Sequence, residues 1–153
     1  MKKSIKVTPF LGVSGRQINR YLKKNDKFKG CFSSNNIPYF KKFPFSLIIN
    51  TSTSNEAGDH WVSVYISKKY CLFFDSFGVP VIEINILNYF SNYNIKTITY
   101  SNVCIQAIES FSCGLFCIGF IKNVRNLKTF YDYVNKFNFV NLSLNNNIIY
   151  ANI

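Results

Sequence analysis

The chain has one histidine, one tryptophan and one methionine in 153 residues, and only seven acidic residues against eighteen Lys and Arg. It also lacks any apolar run of the ~18 residues needed to span a bilayer. The opening stretch, Met1-Lys2-Lys3-Ser4-Ile5-Lys6, is not followed by the apolar segment of a signal peptide. These absences argue against membrane and secreted classes and predict a soluble, intracellular protein. Five cysteines (Cys31, Cys71, Cys104, Cys113, Cys117) are odd in number and scattered, which disfavours a disulfide framework and points to reduced thiols. One histidine, with Cys113 and Cys117 four apart in an apolar segment, makes a poor zinc site, so no metal is expected. No repeat or linker divides the chain. With 48% hydrophobic and 18% aromatic residues, residues 1–153 are expected to form a single domain with a real core, acting as a monomer.

The positive charge is concentrated. Residues 1–42 hold eleven of the eighteen Lys and Arg and one acidic residue, Asp26, so nearly all of the net +11 lies in the first third. A face of this kind attracts phosphate without reading sequence. A solvated, lysine-rich surface gives the same pattern, and an AT-rich genome would inflate the Lys count.

Periodicity supplies a coarse fold. Ser14 to Leu22 reads as a short helix, Phe28 to Phe45 as a loop packed by its rings, and Phe45 to Asn50 as a buried strand. Trp61–Ile66 and Tyr70–Asp75 read as an antiparallel hairpin turning at Lys68-Lys69. In that register opposed positions sum to 137. Asp75 then faces Val62, His60 faces Phe77, and His60 and Asp75 are diagonal neighbours on one face, ~7–8 Å apart at the backbone. A slip of one residue would place them on opposite faces. Pro80 to Phe90 reads as a helix, Ile95 to Tyr100 as a strand and Asn126 to Phe137 as a helix, with no assignment after Asn141. Cys113 to Ile121 is apolar on every side, as a buried helix with Ser112 available as a cap. Together these elements predict an α+β fold, a mixed or antiparallel sheet packed against a buried helix that begins at Cys113.

The residues suited to chemistry fall in a definite order: His60, Asp75, Gln106, Cys113. A thiol nucleophile needs a neighbouring base, and the base needs an acceptor to orient its ring. With one imidazole in the chain, the base is His60 or there is none. Cys113, at a helix N-terminus, sits where unpaired N–H groups favour a thiolate. An inert buried thiol is the competing role, and it is assigned to the other four cysteines. Gln106 lies seven residues before Cys113 and can supply a side-chain amide to an oxyanion hole, or simply face solvent. Gly114 would allow close approach of backbone and substrate. Trp61 either lines a substrate channel or belongs to the core. Asp59, Glu109 and Asp132 have no assigned partner.

Gly58-Asp59-His60-Trp61, Phe74-Asp75-Ser76-Phe77-Gly78, Gln106 and Ser112-Cys113-Gly114-Leu115-Phe116-Cys117 together resemble the adenovirus-type cysteine proteases, the adenain family of the Ulp/SENP-like clan. Pro38-Tyr39-Phe40 and Ile48-Ile49-Asn50-Thr51 extend the likeness to about Phe28–Ile121. The acidic block carries Asp, as in Ulp-like enzymes and the adenovirus-like proteases of Polinton/Maverick elements and related DNA viruses, where adenovirus members have Glu. The resemblance implies a papain-like/Ulp-like fold, Cys113 as nucleophile, His60 as general base, Asp75 as its orienter and Gln106 as oxyanion donor, in a protein of the host nucleus or cytoplasm or of the virion. It implies cleavage of viral or transposon capsid precursors, often next to glycine. No cofactor is required for that chemistry, although adenovirus enzymes use DNA as one and the basic first third is compatible with DNA stimulation. The short C-terminal part departs from adenovirus enzymes and places their peptide cofactor in doubt. An isopeptidase acting on ubiquitin-like proteins shares the chemistry. A basic nucleic-acid-binding protein that keeps a defunct protease fold is the alternative from another class.

Overall fold

The computed structural model describes residues 12–153. Within them a five-stranded mixed sheet runs β1 (Phe28–Ser33), β2 (Phe45–Asn50), β3 (Trp61–Ile66), β4 (Tyr70–Phe74), β5 (Thr97–Tyr100), in sequence order from edge to edge. The inner pairs β2–β3 and β3–β4 are antiparallel, and the outer pairs β1–β2 and β4–β5 are parallel. Helices α1 (Gly15–Leu22), α2 (Ile84–Ser91), α3 (Cys113–Asn123), α4 (Leu127–Val134) and α5 (Asn145–Asn152) complete the described α+β architecture.

Both sheet faces are covered, which explains why β2, β3 and β4 read as nearly continuous apolar runs. Ile48, Tyr65, Leu72 and Phe74 join the core formed with α1, α3, α4 and α5. Their alternate neighbours Phe45, Leu47, Ile49, Val62, Val64, Cys71 and Phe73 pack on the other side with Ile86, Tyr89 and Phe90 of α2. Helix α3 is buried all round from Gly114 to Ile121, as its uniformly apolar sequence requires. The small Gly119 admits Tyr133, since a Cβ there would lie 2.6 Å from its hydroxyl.

Three elements differ from their sequence reading. The segment from Phe28 was expected to be irregular up to Phe45, but its first six residues form β1. The strand is disguised by Gly30, which adopts φ +130° where the ladder skips between Phe28 and Cys31. Helix α2 starts at Ile84 instead of in the turn of Pro80, because the Glu83 carboxylate takes the cap and accepts from the Ile86 N–H at 2.9 Å. Strand β5 begins at Thr97, two residues later than expected. The C-terminal stretch without an assignment forms a short 3₁₀ turn at Leu142–Leu144 and then α5.

Candidate active site

The β3–β4 hairpin positions His60 and Asp75. Ser63 pairs with Phe74, Val64 with Phe73, Tyr65 with Leu72 and Ile66 with Cys71, every pair summing to 137 as the two-residue turn demands. His60 precedes β3 and Asp75 follows β4, so both project from the same hairpin end. Their side chains meet, with His60 Nε2 2.8 Å from Asp75 Oδ1. Both are largely shielded, at 16% and 10% side-chain exposure. The same Oδ1 accepts the Phe77 N–H at 2.8 Å, which fixes the carboxylate. Phe77, opposite His60 in the register, packs its ring 5.0 Å from the imidazole, tilted by 32°. The loop that carries His60 is anchored by Thr51, whose N–H donates to the His60 carbonyl at 2.9 Å.

Cys113 approaches from the first residue of α3 and lines the same groove as His60 and Asp75, near enough to contribute to the raised proton affinity of the imidazole. Nε2 is committed to Asp75, so Nδ1 is the ring nitrogen not used by the carboxylate. Burial would push the imidazole down; the hydrogen bonds and negative charges of Asp75 and Cys113 outweigh it and hold the ring at about 10 against an ordinary 6.5. At neutral pH the ring is therefore cationic. Ser112 occupies the cap position but does not cap, because its backbone (φ −91°, ψ 6°) is outside the extended region that aims a side chain at the helix N–H groups. Its hydroxyl instead accepts from Ser110 Oγ at 2.9 Å. No first-turn N–H group is therefore bonded by the cap side chain, although the Leu115 N–H donates to the Ser112 carbonyl at 2.9 Å.

The other cysteines have different surroundings. Burial pushes the Cys31 thiol up to about 12 and raises the Cys71 and Cys117 thiols as well. Cys117, one turn beyond Cys113, donates to the Trp61 carbonyl at 3.3 Å and ties α3 to β3. Cys104 is exposed and donates to the Gln106 carbonyl at 3.2 Å.

Gln106 is 2% exposed and lines the same groove as Cys113, His60 and Asp75. Its Nε2 donates to the Ser110 carbonyl at 2.7 Å, and its Oε1 accepts from Ser76 Oγ at 2.5 Å. The Ser76 carbonyl receives both the Ile105 and Gln106 N–H groups, at 2.9 and 3.1 Å. Gly78, at φ +72°, allows this closure, since a Cβ there would fall 2.6 Å from the Val103 carbonyl carbon. The Asp75–Gly78 turn is thus clamped to the strand-like approach of Gln106.

Trp61 and Gly114 part company. Trp61 lines the groove, a cleft of roughly 1230 Å³, while its Nε1 donates to the Val13 carbonyl at 3.0 Å. Gly114, expected beside substrate, is instead buried away from the groove lining, and a Cβ on it would meet Trp61, Ile18 and Val13 at 3.3–3.4 Å. Its smallness serves the packing of α1 and Trp61 on α3. Ser76, Phe77 and Ser110 were not singled out from sequence. Only Phe77 had a signal, the register that set it opposite His60. Asp59 is an exposed wall of the groove, whereas Glu109 and Asp132 do not line it.

The described groove lining carries Asp59, Asp75 and Glu83 but no Lys or Arg. Arg16, Arg20, Lys23, Lys24 and Lys29 are exposed on and after α1; the basic residues before Gly12 lie outside the described residues. Among the described residues no group of three or more His, Cys, Asp or Glu side chains is placed to hold a metal ion, and no helix is long and apolar enough to cross a membrane. No protein-family model matches the chain, and no curated protein matches its sequence.

Proposed function

We propose that this chain is a cysteine peptidase of the adenain type, with a papain-like/Ulp-like fold and a Cys113–His60–Asp75 triad. One observation carries the reading. The only imidazole in the chain is hydrogen-bonded to a carboxylate and lines one groove with a cysteine at a helix N-terminus.

The chemistry follows from those contacts. The imidazole beside the sulfur takes its proton as the cysteine becomes the nucleophile. The sulfur attacks the scissile carbonyl carbon, the C=O electron pair moves to oxygen, and the oxyanion is received by the Cys113 N–H and the Gln106 amide. Collapse restores the carbonyl and breaks the C–N bond, and the departing amine takes the proton of His60. The neutral imidazole then removes a proton from water, whose oxygen attacks the thioester. A carboxylic acid leaves and the Cys113 thiolate returns, its partner again protonated. Asp75 accepts from Nε2–H throughout and keeps Nδ1 turned to the sulfur.

The substrate class we favour is a viral or transposon capsid precursor cut next to glycine, on the strength of the four sequence blocks. Deconjugation of ubiquitin-like proteins uses the same site. A nucleic-acid role for the groove itself is disfavoured by its three carboxylates and absence of described cationic lining; DNA would act at the exposed basic residues of α1. The reading is tested by incubating the protein and its Cys113→Ala form with a glycine-rich peptide library. Cleavage by the first and none by the second is expected. Equal cleavage by both, or none by either across the library, contradicts it.

A further inference from the structure

We infer that Ser76 is a positioning residue for the oxyanion hole, holding the Gln106 side chain in the one orientation that presents its N–H. The inference rests on the peptidase reading above.

A glutamine amide has two faces of similar shape, an acceptor oxygen and a donor nitrogen, and only the nitrogen can receive an oxyanion. The two ends of Gln106 have different partners. The Ser110 carbonyl only accepts, so the group 2.7 Å from it is the NH₂. The oxygen is satisfied by Ser76 Oγ, a hydroxyl with 0% residue exposure. One Nε2 hydrogen is used on Ser110, and the second is the side chain's remaining donor. Because Gln106 lines the groove with Cys113, that donor belongs to the chamber in which the carbonyl oxygen becomes negative. Ser76 follows Asp75 directly. One turn therefore sets both functions, the carboxylate of Asp75 orienting the base and the hydroxyl of Ser76 orienting the oxyanion donor. The Ser76 carbonyl, receiving the Ile105 and Gln106 N–H groups, holds the Gln106 backbone to the same turn.

A role in the oxyanion hole is separable from a role in the triad. Hydrolysis of a peptide ester and reversible binding of a peptide aldehyde both create an oxyanion or its hemithioacetal equivalent, whereas alkylation of Cys113 by iodoacetamide creates none. The experiment measures kcat/KM, aldehyde affinity and Cys113 alkylation rate for the unmutated chain, Ser76→Ala, Gln106→Ala and the double variant. Ser76→Ala is expected to lower kcat/KM by about tenfold or more, towards the roughly 10²–10³-fold lost with the donor itself. Aldehyde affinity should fall in parallel while alkylation stays within about twofold. The double variant should be no worse than Gln106→Ala, because Ser76 acts through that residue. Should Ser76→Ala fail to fold, Ser76→Cys, similar in size and a weaker donor, carries the same comparison, with alkylation followed at Cys113 by peptide mapping. Unchanged kcat/KM and aldehyde affinity, additive losses in the double variant, or alkylation falling in step with hydrolysis would each overturn the assignment. An unmutated chain without Cys113-dependent hydrolysis would overturn the peptidase reading, and this one with it.

Discussion

His60 Nε2 lies 2.8 Å from Asp75 Oδ1, although fifteen residues separate them, because a two-residue turn fixes the register of the hairpin whose end they share. The carboxylate raises the proton affinity of the ring, and on the peptidase reading proposed above this governs both reactivity and stability.

The first consequence concerns the pH profile. The active ion pair needs a protonated ring, so the alkaline limb of kcat/KM should fall at about pH 10, where the imidazole loses its proton. Asp75→Asn removes the negative charge that raises it, and should move that limb to lower pH as well as reducing the rate. A limb that stays in place in Asp75→Asn would contradict the role given to the carboxylate.

Stability should respond to the same group. The imidazole is raised in the folded state from 6.5 to about 10, so the folded chain binds the proton more tightly than the unfolded one. The stabilisation is fully present below about pH 6.5 and is lost as pH rises through about 10. Urea unfolding from pH 6 to 10 should show a decline in the unmutated chain that is absent from His60→Gln. Parallel curves for the two would refute the linkage.

Thiol reactivity should single out one cysteine. Substoichiometric iodoacetamide at neutral pH is expected to label Cys113 first, as Cys31, Cys71 and Cys117 are held as thiols by burial. Peptide mapping reads the result, and prior labelling of Cys31 or exposed Cys104 would go against the assignment.

Gly78→Ala should be damaging far beyond the loss of one turn. It forces a side chain into φ +72° and against the Val103–Cys104 backbone at 2.6–2.9 Å. A cost of about 1–3 kcal/mol is expected from the dihedral alone, seen as a lower urea midpoint, with hydrolysis reduced further because Asp75 and Gln106 both depend on this turn. Wild-type stability and activity in the variant would show the clamp to be dispensable.

Much of the site was legible in the sequence because strand pairing is a matter of integers. With Lys68-Lys69 as the turn, the meeting of His60 with Asp75 and the place of Phe77 follow from the register. The helix at Cys113 was legible from its all-round apolar character. What escaped depended on tertiary contacts without local signature. Gly30 broke the apparent strand β1, Glu83 took a cap that propensity did not assign to it, and Gly114 proved to face Trp61, Ile18 and Val13. Ser76 and Ser110 are ordinary residues in sequence; only the folded loop shows them gripping opposite ends of one amide.

The most direct test is to trap the acyl-enzyme. A peptide ester turned over by the unmutated chain and quenched in acid should leave the protein heavier by the mass of the acyl group, with the adduct mapped to Cys113 and absent from Cys113→Ala. Continued hydrolysis with no adduct, or with an adduct on another residue, would contradict the account.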